Sequence, residues 1–381
     1  MYYKDVFLLK PEDTDVFEIK FGYEFSKRYI EKHLQCKIKF ITGQEKLKDL
    51  GINTDIAFFI FDPTSVPSIY VRDTLTKIIN SGYKIATCVT NETNNKEQQA
   101  KIPYIYHNVS TFNEVAEIIF NNGSDITITE KIDPFLFAVD VNAIDLEVRV
   151  KDIPGLSLPK AVSKNILVHR FGENIFFSPR DDLIPFVPDS AKKILDIGCG
   201  MGGFGKNLKQ HKKEIEITGI ELARSLAKHA NKYYNRVIVG DVLNVELDDK
   251  FDLIICADLI EHVYDPWRLF KKINSWLMPD GYFLSCVPNI GHWSIVKDLL
   301  EGKFEYILVG LLCVGHIRFF TEESLKDMLS SSGFKIDLWH KNTYPPTPEG
   351  KKFLTTIKEL SIGNLDSLNT FSYIFRAQKT C

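Results

Sequence analysis

The chain has 381 residues, 44% hydrophobic, 25% charged and 12% aromatic, a globular composition that excludes global disorder and a disulfide-stapled miniprotein and suggests about two domains. With 47 Lys and Arg against 50 Asp and Glu the formal charge is -3, so no broad electrostatic ground exists for binding nucleic acid. Seven scattered cysteines with no CxxC pair fit a reducing compartment. The opening MYYKDVFLLKPEDTD lacks a signal-peptide run, and the apolar stretch 306–315 is about half a membrane span, so a cytoplasmic chain without a transmembrane segment is predicted.

In chain order, the first section alternates strand-like and helix-like text. Strands are predicted at 36–41, 55–62 and 84–90 and helices at 68–82 and 112–122, a small α/β layer with no glycine-rich phosphate loop. The polar run 91–101 reads as a surface loop. From about 146 to 190 periodicity weakens and prolines recur, which places a connecting segment at 151–190 between a domain at 1–150 and another at 191–381. The acids Asp62, Glu130 and Asp140 near strand ends of the first domain hold no D-x-D for a nucleotide diphosphate metal. A scaffolding or partner-binding role is at least as good a reading for it as a second catalytic centre.

The text after the connection is the clearest βαβ pattern: KKILDIGCG, a helix from near Gly202, EIEITGIE, a helix at LARSLAKHANKYY, VIVGD, FDLIICAD, a helix from Asp265 to Leu277, and GYFLSCVPN. Short β-rich strands alternating with helices of ten or more residues predict a doubly wound, Rossmann-like α/β sheet with right-handed crossovers. A helix at TEESLKDMLSSSG and strands at FKIDLWH and FSYIFRAQ complete it. The apolar insertion 304–315 has two readings, a lid or substrate wall, or a buried or dimer-forming helix.

Gly198, Gly200 and Gly203 follow a strand and open a helix, where backbone amides and a helix N-terminus approach a ligand. They satisfy G-x-G-x-x-G, yet Asp196 two residues earlier would repel a pyrophosphate and suits a ligand bearing an ammonium group. Glu221 ends the second strand, positioned to accept from ribose hydroxyls, and Asp241 ends the third, positioned to accept from an adenine amine. An NAD-dependent dehydrogenase and a non-catalytic cofactor-binding or scaffolding protein remain alternatives.

These residues resemble the class I S-adenosylmethionine-dependent methyltransferases over about 190–378, with the acid and glycine loop matched by Asp196, Gly198, Gly200 and Gly202, the ribose acid by Glu221 and the adenine acid by Asp241. The stretch ICADLIEHVYDPWRLFKKINSWLMPDGYFLSCVPN and the later GHIRFFT look like members acting in bacterial surface-glycan and small-molecule biosynthesis. The resemblance implies a seven-stranded methyltransferase sheet with an additional N-terminal α/β domain and S-adenosylmethionine as cofactor. It further implies Cys199, Leu222, Val242 and Asp258 beside the cofactor.

Methyl transfer from a sulfonium is an in-line displacement that requires alignment and water exclusion but no metal. A hydroxyl acceptor gains from a base, and imidazole suits neutral pH. His262, His292 and His316 are the candidates, each with a structural alternative: His262 capping the following helix, His292 as a loop residue beside Trp293, and His316 pairing with acids. Asn289 and Arg318 are candidate acceptor ligands. The histidines lack compact ligand spacing and no H-E-x-x-H occurs, so no metal is expected. The acceptor expected is a sugar, sugar nucleotide or glycan hydroxyl, with an amine or carbon of another small metabolite as the alternative. A homodimer or a partner biosynthetic enzyme are the macromolecular partners considered.

Overall fold

The computed structural model describes residues 5–10, 16–122, 125–171 and 176–380. Cys381 and most of the opening run fall outside them. The chain divides at 172/173 into two compact units.

The first unit is built on β1 (Asp5–Leu9), β2 (Ile38–Ile41), β3 (Ile56–Ile60), β4 (Val66–Pro67), β5 (Ile85–Thr90), β6 (Ile126–Thr129), β7 (Leu136–Asp140) and β8 (Lys160–His169), with helices α1 (Phe17–Leu34), α2 (Val71–Asn80) and α3 (Val109–Asn121). They form an eight-stranded mixed sheet in the order β2-β1-β3-β7-β5-β8-β4, with β6 on β8. Strand alternation sends Val6, Leu8, Phe58 and Ile60 to one core with Ile30 and Leu34 of α1 and Leu75 and Ile78 of α2. Phe7, Ala57, Phe59 and Val139 enter a second core, closed by Val150 and Ile153. The segment 151–190, expected as a connection, therefore supplies β8, a ten-residue strand of this sheet. Ser163, Lys164 and Asn165 break its apolar run, and the ladder slips opposite Cys88 and Val89, which is why no strand is legible there. Asp62 is committed to Arg170 at 2.7 Å and Asp140 to Lys84 at 2.8 Å.

The second unit contains β9 (Lys193–Ile197), α4 (Gly203–His211), β10 (Glu216–Glu221), α5 (Arg224–Ala230), β11 (Arg236–Val239), β12 (Phe251–Ala257), α6 (Pro266–Trp276), β13 (Leu277–Pro288), α7 (Trp293–Leu300), α8 (Glu322–Ser331), β14 (Phe334–Thr343), α9 (Pro348–Glu359), α10 (Leu365–Asn369) and β15 (Thr370–Lys379). Its sheet runs β11-β10-β9-β12-β13-β15-β14, with β15 antiparallel to both neighbours, which is the seven-stranded doubly wound sheet expected. Leu195, Ile197, Ile254 and Phe283 face Leu269 and Phe270 of α6 and Leu325 and Leu329 of α8. Ile194, Leu253, Ile255 and Leu284 face Phe204 and Leu208 of α4 and Tyr234. Two covered faces explain the near-continuous apolar strands, and the order reverses beside β9, where a doubly wound sheet opens a crevice.

The insertion 304–315 forms no helix. Ile307 bridges Cys313, Gly310 turns with φ at 118°, and Leu308, Leu311 and Leu312 are buried while Phe304, Tyr306 and Val309 stay exposed. A continuous helix over this sequence would have to give up that turn, so the helical reading is replaced by a folded loop. The described cysteines are all free and buried. Among the described residues no helix is long and apolar enough to cross a membrane.

Candidate active site

The loop after β9 packs tightly before any ligand is considered. At Gly200 φ is 53°, and a Cβ would lie 2.6 Å from the Phe176 carbonyl oxygen, which also accepts from the Met201 N–H at 2.8 Å. At Gly202 φ is 88°, and a Cβ would meet the Ala230 backbone at 2.9 Å. These positions need glycine both for backbone conformation and because the Phe176 segment and α5 press against the turn.

Glu221, at the end of β10, accepts from the Gly200 N–H and the Ala223 N–H at 2.9 Å each. It ties the loop to the adjacent strand, and an ionised carboxylate has lone pairs left for further donors. Leu222 beside it is largely exposed, Cys199 is buried beneath the loop and Gly198 completes the turn.

Asp196 is buried and accepts a hydrogen bond from the Tyr234 hydroxyl. Burial lifts its carboxyl to about 6, against the lowering effects of Tyr234 and Arg180. The side chain read from sequence as facing an ammonium group is thus a brace between β9 and the residues after α5. Asp241 is exposed and accepts from the Leu243 N–H and the Asn244 amide, shaping the turn after β11 with Val242 buried behind it.

Asp258 sits beyond β12 with φ at 50° and pairs at 2.6 Å with Arg180, itself at φ 48°. Two non-glycine residues in the left-handed region joined by one ion pair mark a strained strand end, a feature that concentrates at functional sites. Arg180 also forks onto Asp182 through Nε and Nη2. Burial opposes its charge, but Asp258 and Asp182 more than offset this and hold the guanidinium above its ordinary range. Sequence reasoning missed Arg180 because it lies upstream of the βαβ text. Its only signal is a lone cation in FSPRDDLIP.

The three histidines have different surroundings. His292 is fully buried, and its Nδ1 lies 2.9 Å from the Ser294 hydroxyl at the start of α7, beside Trp293 and Phe371. His316 is buried with Nδ1 3.0 Å from the Leu311 carbonyl, and burial, aided by His262, lowers its ring to about 4. His262 is half-buried with its ring 4.8 Å from that of His316.

Asn289 is fully buried: its amide donates to the Ser367 and Thr370 carbonyls and its oxygen accepts from the Gly291 N–H. Both amide hydrogens and the oxygen of that side chain thus hold the β13 end against α10 and β15 and shape the turn at Gly291. Arg318 donates to the Tyr264 and Ile317 carbonyls and stacks over the Tyr264 ring. The structure thus places Asp196, the glycines, Glu221 and Asp258 at the carboxyl ends of the adjacent strands β9, β10 and β12 and brings His262 to His316, but keeps His292 and Asn289 buried.

Residues 169–338 match the family described as a methyltransferase domain, less than half of the chain. The chain is 25% identical over 179 residues to a malonyl-[acyl-carrier protein] O-methyltransferase of Geobacter sulfurreducens, covering 45% of this chain and 67% of the relative. It is 31% identical over 199 residues to a protein named probable (S)-tetrahydroprotoberberine N-methyltransferase 2 of Papaver bracteatum, covering 46% and 54%. A ubiquinone biosynthesis O-methyltransferase of Chromobacterium violaceum is 30% identical over 136 residues, covering 31% and 57%. The chain thus spans 54–67% of the length of these curated relatives. Among solved structures, an S-adenosylmethionine-dependent methyltransferase from Mesorhizobium loti overlaps 53% of this chain and 98% of its own at 18% identity and a TM-score of 0.37. The second unit thus has a seven-stranded Rossmann-like sheet, and its match to a methyltransferase domain indicates S-adenosylmethionine as the cofactor.

Proposed function

We propose that the protein transfers a methyl group from S-adenosylmethionine to an oxygen or nitrogen of a small-molecule acceptor. The observation that carries this reading is Glu221, fixed at the end of β10 by the Gly200 and Ala223 amides, against the glycine loop of β9, beside which the strand order reverses. In this reading Glu221 accepts from the ribose hydroxyls, Asp241 from the adenine amine with Leu222 and Val242 flanking the base, Asp258 meets the ammonium group and Arg180 the carboxylate of the methionyl end. Asp196 acts one layer behind, through Tyr234.

When bound, the cofactor supplies an electrophilic methyl carbon on a sulfonium. The chain's residues align the acceptor lone pair with that carbon, exclude water and let the acceptor's proton depart. The relatives' names include both O- and N-methyltransferases, which supports a heteroatom of a small metabolite and keeps a sugar hydroxyl as one member of a wider class. The exposed aromatic group of Phe304, Tyr306 and Phe319, with ring centres 5.4 and 6.2 Å apart, favours an acceptor with apolar surface.

Isothermal titration of the full chain tests the cofactor assignment. S-adenosylmethionine is expected to bind while NAD does not, and E221A is expected to lose at least about tenfold in affinity, about 1.4 kcal/mol. Binding of NAD instead, or unchanged affinity in E221A, would sink the assignment. A mass-spectrometric screen of hydroxylated and amine metabolites for a gain of one methyl then identifies the acceptor.

A further inference from the structure

Beyond the end of β12, four side chains with metal-ligating atoms converge from two segments distant in sequence. One ligand atom each from His262, Cys313 and His316 lies within 4.8 Å of the others. Glu261 adds a carboxylate, with Oε1 3.8 Å from His316 Nε2. Glu261 is fully buried, and neither carboxylate oxygen has a hydrogen-bond donor. A buried polar group in that condition costs about 1–3 kcal/mol, and more for a charged one, so the arrangement calls for a partner. The His316 ring is already oriented for one. A carbonyl only accepts, so Nδ1 carries the proton donated to Leu311, which leaves a lone pair on Nε2, 3.8 Å from Glu261 Oε1.

We propose that Glu261, His262, Cys313 and His316 form a closed, four-coordinate site for a zinc ion that pins the 304–318 loop to the end of β12. Two imidazoles, one thiolate and one carboxylate suit zinc, a borderline-soft cation that takes nitrogen and sulfur in tetrahedral sites. Charge balance supports burial: a dication with one thiolate and one carboxylate is neutral, so nothing unpaired is left in the interior. On binding, Cys313 releases its thiol proton to solvent, as does Glu261 where it is protonated. Bonds of about 2.0–2.3 Å would require the cluster to contract modestly. The backbone supports this, because the Ile317 and Arg318 N–H groups donate to the Glu261 carbonyl at 2.9 and 3.0 Å, holding the two segments in register. The site stands independently of the acceptor assignment, since its role is to fix a wall of the crevice.

The test is titration of the full chain, first stripped with a chelator, with Co²⁺ followed by Zn²⁺. The expected result is one bound cobalt with intense tetrahedral bands in the visible and a thiolate charge-transfer band in the near ultraviolet, both bleached by zinc. C313S is expected to lose the charge-transfer band. H316A is expected to weaken zinc more than tenfold, because losing even an outer partner of a ligand costs about 10–100-fold. C36S, which removes a buried thiol of the first unit, is expected to leave both bands and stoichiometry unchanged. A weak spectrum of hydrated six-coordinate cobalt in the parent chain overturns the proposal, whether or not the variants fold. So does retention of the charge-transfer band in a folded C313S.

Discussion

At the scale of single residues, the glycine loop is held as much by the protein's own packing as by what it binds. Gly200 lies under the Phe176 carbonyl, so G200A must displace either the loop or that segment. A loss of about 1–3 kcal/mol in stability is expected together with weakened S-adenosylmethionine binding, measured by denaturant unfolding and titration on the same sample. Asp196 gives a pH signature. Its carboxyl is raised from 3.8 to about 6 by burial, so between those values the folded chain holds a proton that the unfolded chain has released. Stability from this group is therefore present at low pH and lost as pH rises through about 4 to 6. In D196N that loss disappears, and the stability difference between variant and parent should move in the variant's favour by about 2–3 kcal/mol from pH 4 to pH 7. An unchanged difference would mean that Asp196 is charged and satisfied throughout.

At the scale of elements, the crevice is framed by strand ends that side chains tie to their neighbours. Asn289 joins β13 to α10 and β15 through two donated bonds and one accepted bond. N289A leaves two buried carbonyls without that donor, so a loss of about 1–3 kcal/mol in stability is expected. Cofactor affinity should change by less than about threefold, well under 1.4 kcal/mol, since β9 and β10 carry the loop. A large loss of affinity at unchanged stability would make Asn289 a ligand after all. The 304–315 loop illustrates a limit of periodicity. Its apolar residues do not share one helical stripe: the turn at Gly310 sends Leu311 and Leu312 into a small core with Ile295, while Phe304, Tyr306 and Val309 face outward.

At the scale of the whole molecule, each unit has its own sheet and its own cores, so calorimetry should resolve two transitions. S-adenosylmethionine should raise only that of the second unit, by mass action on its folded state. Acid should act strongly on the first. Burial lowers His107 and His169 to about 4, whereas the unfolded chain takes up these protons near 6.5. The stability they confer is intact above about 6.5 and lost as pH falls toward 4, of the order of 2–3 kcal/mol for each. A first transition insensitive to pH across that window would show that these rings are reached by water.

The sequence by itself determined the doubly wound sheet of the second unit, because parallel strands covered on both faces must be apolar runs separated by amphipathic helices. It also determined the position of the glycine loop and of the acids before and after it, because Asp196, Glu221 and Asp241 each stand at or just beyond a strand end that local pattern locates. What it left open was decided by contacts between distant segments. β8 was hidden by a bulge and a polar interruption, Arg180 acquires meaning only beside Asp258, and Asn289 is a clamp only because α10 and β15 return to it. His262 and His316 lack any ligand-like spacing, yet the fold of the 304–318 loop sets them edge to face with Glu261 and Cys313 alongside. Local periodicity reports which face of an element is buried, and tertiary packing decides which side chains meet there.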